Sequence, residues 1–152
     1  MIRDRGLAAV ARVRGVREQE SQRNLQRALA QLRDRQRDLT ELHHQISAAA
    51  GMEADLFGTH GISAPGQLLA LRITLTNLSE LVTDAGRAVA AAERAADLAR
   101  EQWEDDKTRL TAVERLLERR LAEHRADLAR AHSRESDELA SAGWIRRTQG
   151  DA

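Results

Sequence analysis

Residues 71–117 read LRITLTNLSELVTDAGRAVAAAERAADLAREQWEDDKTRLTAVERLL. Leu75, Val82, Val89, Ala96, Trp103, Leu110 and Leu117 recur every seven residues, and Leu71, Leu78, Ala85, Ala92 and Ala99 each stand four residues before one of the first five. An apolar 4-3 repeat of this length keeps one narrow stripe facing one direction, and in water such a stripe is stable only against another helix. The pattern predicts a chain that lies along a partner helix. It does not predict one that encloses a substrate, because a globular domain needs wider apolar faces than two positions in seven supply.

Upstream, Leu25, Leu32, Leu39 and Ile46 also recur at seven, with Leu29 and Leu42 nearby. No proline interrupts this stretch, which reads as a first helix over about residues 3–50. Gly51, Gly58, Gly61, Pro65 and Gly66 then cluster, a density of breakers that marks a tip loop over about 51–63. Ser63 is the candidate N-cap of a second helix, with Pro65 just inside it, where a missing N–H costs little. That helix runs over about residues 64–142, after which Gly143 opens a polar tail over 143–152. The expected fold class is all-α, a long antiparallel two-helix coiled-coil hairpin spanning residues 1–152 as one unit. At about 1.5 Å per residue the helices span roughly 70 Å and 115 Å, so about thirty residues of the second outrun the first.

Composition fits this class. The 152 residues hold no Tyr, no Cys, one Phe, two Trp and one Pro, while 41% are apolar, mostly Ala and Leu, and 32% charged. That is the composition of long exposed helices, short of the aromatics that fill a compact core. The 24 basic and 24 acidic side chains are interleaved and cancel, so no electrostatic footprint for nucleic acid or an anionic membrane is present. Arginines near the start interrupt any apolar run that could serve as a signal peptide, and no stretch is long enough to span a membrane. Absence of Cys is compatible with a reducing compartment. A soluble cytoplasmic protein is expected.

The seam changes character along its length. Between Ala85 and Ala99 it is alanine-rich, which lets two backbones approach but buries little area and predicts low local stability. Asp106, Arg120 and His124 fall at positions the repeat would make apolar, where polar residues cost stability and fix register. Leu121 and Leu128 restart the repeat four residues after Leu117, the signature of a stutter.

Other chemistries find little support. Glu41 and His44 have the Glu-x-x-His spacing of di-iron bundles, but a site of that kind needs a second such pair and two further carboxylates on other helices. No other His follows a Glu by three, so Glu41 and His44 read as a solvated face. No nucleophile elbow and no phosphate-cradling glycine loop is present. No catalysis, cofactor, metal or nucleic-acid partner is therefore expected. Met52, Leu56, Phe57 and Ile62 form an apolar tip that closes the hairpin end or, alternatively, binds a partner; Trp103 sits in the seam, and Trp144 lies past the expected helix end.

Two terminal blocks carry a family resemblance. Residues Leu7 to Glu18, LAAVARVRGVRE, followed by Leu25, Leu29 and Leu32, resemble the opening of the FliJ family of flagellar export proteins. Residues Val113 to Arg120, VERLLERR, followed by Glu135-Ser136-Asp137-Glu138, resemble that family's Leu/Glu/Arg block closing on an acidic pair. The resemblance covers almost the whole chain. It implies a non-enzymatic coiled-coil stalk of a type III protein export apparatus, serving flagellum biogenesis and hence motility and chemotaxis. The implied partners are the hexameric export ATPase, the cytoplasmic domain of the membrane export gate, and export chaperones. Membrane association would be peripheral, at the inner face, and only through partners.

By the same resemblance, the end carrying both termini enters the ATPase ring. The docking candidates are then Arg12, Arg14, Arg17, Glu118, Arg119, Arg120, Asp137 and Glu138, with Leu81 and Arg87 nearest to the family's gate contact. Apart from the resemblance, the N-terminal arginines read by default as a solvated face, with a docking surface for an acidic protein as the second reading. The rival reading of the whole chain is a self-associating coiled-coil scaffold unrelated to secretion.

Overall fold

The computed structural model describes residues 2–59 and 65–150, with side chains for residues 4–58 and 65–150. Its described residues form helix α1 (Ile2–Thr59) and helix α2 (Pro65–Gly150), which pack against each other as an all-α helical hairpin. By spatial proximity the chain divides into two compact units, one of Glu18–Asp106 and one combining Met1–Arg17 with Lys107–Ala152.

In the unit Glu18–Asp106 the 4-3 repeat and the burial pattern coincide. Leu71, Leu75, Leu78, Val82, Ala85, Val89, Ala92, Ala96, Ala99 and Trp103 are buried or half-buried between exposed neighbours. On α1 the matching row includes Ser21, Leu25, Leu32, Leu39, Leu42, Ile46, Ala49 and Leu56. Arg72 Nε stands 3.6 Å from Glu53 Oε1, Trp103 Nε1 donates to Glu18 Oε1 at 3.0 Å, and Ser21 Oγ donates to Asp106 Oδ2. As the α1 positions rise the α2 positions fall, so the pairing is antiparallel.

That register runs Leu25, Leu32 and Leu39 past the alanine-rich stretch of α2, large side chains facing small ones. Ala96, at 2% exposure, is the most enclosed residue among the buried apolar ones, and Leu25 follows at 7%. No large side chain is fully enclosed among the described residues.

Asp106 is the buried polar seam residue that the repeat marks as out of place. It accepts from Ser21 Oγ and, at 3.2 Å, from Gln102 Nε2, one turn earlier on α2. A desolvated carboxylate is tolerated only when it is hydrogen-bonded, and both of these donors serve its Oδ2. Along the Thr- and Ser-rich start of α2 the hydroxyls are satisfied within the helix itself. Thr74, Thr76, Ser79 and Thr83 each donate to the carbonyl four residues back, at 2.8–3.1 Å.

In the unit of Met1–Arg17 with Lys107–Ala152, Leu110, Val113, Leu117 and Arg120 continue the seam, and Arg120 Nη1 reaches Asp4 Oδ1 at 3.7 Å. The seam stops there, two residues from the start of α1. From Leu121 to Ser141 every residue is exposed.

Several expectations are corrected. The first helix does not end near residue 50: Gly51 to Thr59 are its last turns, and Leu56 extends its seam while Met52 and Phe57 stay exposed. Helical glycine costs about 1 kcal/mol against alanine, which a helix paired along its length can absorb. The second helix does not end at Gly143 but runs to Gly150, so Trp144 lies on the helix. No stutter shifts the seam: Leu121 and Leu128 are 53% and 58% exposed, and His124 is exposed too, because no turn of α1 faces them. Ser63, Ile62 and His60 lie outside the described residues.

Two measurements check this packing. A Cβ added at the half-buried Gly86 meets nothing within 4 Å, so Gly86→Ala should raise unfolding free energy by up to about 1 kcal/mol in urea titrations followed by far-UV circular dichroism. Asp106→Ala should lower it by about 1–3 kcal/mol, because Ser21 and Gln102 lose their acceptor, whereas Ser21→Ala combined with Asp106→Leu should recover most of that loss.

Candidate partner-docking surfaces

The eight residues singled out for ATPase docking all fall in the unit of Met1–Arg17 with Lys107–Ala152. Helix α1 supplies Arg12, Arg14 and Arg17; α2 supplies Glu118, Arg119, Arg120, Asp137 and Glu138. The 4-3 pattern decides which of them face solvent. Arg12, Arg17, Glu118 and Arg119 lie outside the seam and are exposed. Arg14 and Arg120 occupy seam positions and are half-buried.

Those two arginines differ in how the seam treats them. Arg120 is held by Asp4, an ion pair open enough to water to contribute at most about 1 kcal/mol. Arg14 is less well satisfied, for its Nη1 is buried without a hydrogen-bond acceptor. A guanidinium nitrogen in that condition has lost its water and gained nothing in return. Asp137 and Glu138 project from the bare part of α2.

The two gate candidates lie in the other unit, on α2. Leu81 is 51% exposed, one position before the seam residue Val82. Arg87 is exposed and pairs loosely with Asp84 at 3.8 Å. An exposed leucine beside a lightly held arginine offers apolar area and a charge at small cost in desolvation.

Sequence reasoning passed over an apolar row on α1. Val10, Val13 and Val16 are exposed, and Ala9, Val10, Val13, Arg14 and Arg17 line one shallow surface depression. Their three-residue spacing was the available signal. Glu41 and His44 line an open, arginine-rich surface, and no cluster of three or more His, Cys, Asp or Glu that could hold a metal occurs among the described residues. No described helix is long and apolar enough to cross a membrane.

The family model described as Flagellar FliJ protein matches residues 4–149. The chain belongs to the FliJ family. This gives it a flagellar, export-associated role within a family of structural proteins. No curated protein and no solved structure matches the chain. The match takes in both terminal blocks, α1 from Asp4 onward and all but the last residue of α2.

If Arg14 is kept at a seam position despite its orphaned nitrogen, replacing it with an apolar residue should help folding. Arg14→Leu should raise the urea midpoint, by about 1 kcal/mol in unfolding free energy, with the helix content unchanged.

Proposed function

We propose that this FliJ-family chain is a non-enzymatic coiled-coil adaptor of a flagellar type III protein export apparatus, working in the cytoplasm. It binds the hexameric export ATPase through the unit that carries both termini, contacts the cytoplasmic domain of the export gate through the α2 surface around Leu81 and Arg87, and escorts export chaperones. The reading rests on the family match over residues 4–149.

The physical form suits that task. A seam one row wide holds two helices in register while leaving most of their surface to other proteins, and its modest burial lets a partner remodel it. The ATPase-facing candidates combine both charge signs: Arg12, Arg17 and Arg119 against Glu118, Asp137 and Glu138. Exposed charges of this kind set encounter rate and orientation more than affinity. The valines of α1, beside Arg14 and Arg17, add apolar area at the same unit.

Adding the chain to purified export ATPase should raise the hydrolysis rate, and the two should co-elute. Combined Arg12→Glu, Arg17→Glu and Arg119→Glu changes should weaken co-elution at least about tenfold, equivalent to about 1.4 kcal/mol, and the weakening should shrink as salt is raised. Leu81→Asp with Arg87→Glu should leave ATPase stimulation intact and abolish capture by the export-gate domain. Absence of both stimulation and co-elution for the unmodified chain would refute the reading.

A further inference from the structure

Helix α1 carries a furrow that is apolar at one end and cationic at the other. Ala9, Val13 and Arg17 form one row of side chains spaced by four, Val10 and Arg14 form the next, and together they line one surface depression. All five belong to the unit of Met1–Arg17 with Lys107–Ala152. Rows at a spacing of four are the ridges between which a second helix lays its own side chains. Val10 and Val13 are 45% and 54% exposed, so the apolar end stands open to water.

At the cationic end the packing is unsatisfied. Nη1 of Arg14 is buried and has no hydrogen-bond acceptor. Native structures rarely leave a buried donor in that condition, because the loss amounts to the group's whole desolvation penalty. Leucine at this seam position would carry no such penalty. A residue that lowers stability where an apolar one would raise it is the mark of a binding group, and here the missing acceptor is what binding would supply. The sign of the ligand follows from the segment's charge: from Arg5 to Arg17 there are four arginines and no Asp or Glu.

We infer that this furrow docks an acidic amphipathic helix of a partner protein, with apolar side chains on Ala9, Val10 and Val13 and a carboxylate about one turn along on Arg14. Arg14 is half-buried and lines the depression, so its long stem lets the guanidinium turn outward to meet that carboxylate. The planar fork of the guanidinium matches two carboxylate oxygens, and the charge of Arg17 stands beside it. A small anion would leave the valines wet, and a purely apolar helix would bury Arg14 further with nothing to accept its proton. The inference deepens the ATPase-docking reading and rests on it for the partner; it adds what that partner presents to α1.

The test uses the full chain and purified export ATPase, with binding titrated. Val13→Asp sets a like charge before the incoming carboxylate, and Arg14→Leu removes the donor. Each should weaken binding at least about tenfold, with helix content unchanged and, for Arg14→Leu, a raised urea midpoint that separates lost binding from lost folding. Lys107 is the chain's only lysine, so Lys107→Arg combined with Arg14→Lys leaves one lysine, at the cationic end of the furrow. Zero-length carbodiimide coupling should join position 14 to an Asp or Glu of the ATPase that has an apolar residue three or four positions away, as mass spectrometry would read. Unchanged binding in Val13→Asp or in Arg14→Leu overturns this inference alone, as does a complex that forms without coupling at position 14. An unmodified chain that does not bind the ATPase overturns this inference and the docking reading together.

Discussion

One row of side chains separates the two helices, and the rest of the molecule is conditioned by how little that row can bury. Leu25, Ala49 and Ala96 are the buried apolar residues among those described. With so small an apolar contribution, satisfied polar contacts acquire an influence on register that a thick core would drown. The Ser21, Gln102 and Asp106 cluster and the Trp103–Glu18 bond sit at one end of the unit Glu18–Asp106, and Glu53–Arg72 lies toward the other. Sliding α1 by one turn would set Leu25, or in the other direction Arg17 and Glu18, against Asp106 in place of Ser21. Buried polar groups that specify alignment at some expense in stability are well attested in coiled coils.

The same thinness explains the use of alanine. Where α2 offers Ala85, Ala92, Ala96 and Ala99, α1 supplies Leu25, Leu32 and Leu39. A stretch that looks weak when one helix is read alone holds Ala96, the most enclosed of the buried apolar residues. Composition on one strand of a hairpin says little about packing until the register brings the other strand opposite.

The 4-3 repeat from Leu71 to Leu117 was legible in the sequence because each seam position had to be apolar or small, and burial follows it residue by residue. Helix ends were not. Gly51, Gly58 and Gly143 weaken a helix without forbidding one, and only Pro65, at the start of α2, coincides with a real boundary. The apparent stutter after Leu117 had a similar cause: a heptad pattern shows that a face wants a partner, but not where that partner stops. Among the docking candidates, the sequence separated exposed from seam positions for Arg12 and Arg119, since both fall off the repeat. It could not foresee that Arg120 would be held by Asp4, because that pairing depends on the register between helices. The exposed valines of α1 were hidden in an apolar block that also supplies the seam.

A lone helix of some thirty residues has further consequences inside a cell. Its backbone hydrogen bonds are covered by no second layer, so it unwinds locally at little more than the free energy of an isolated helix. Arg125, Arg130, Arg134, Arg146 and Arg147 line this arm, and each brief opening presents their peptide bonds to any protease that cuts after arginine. Whatever clasps the arm therefore also shields it from cleavage.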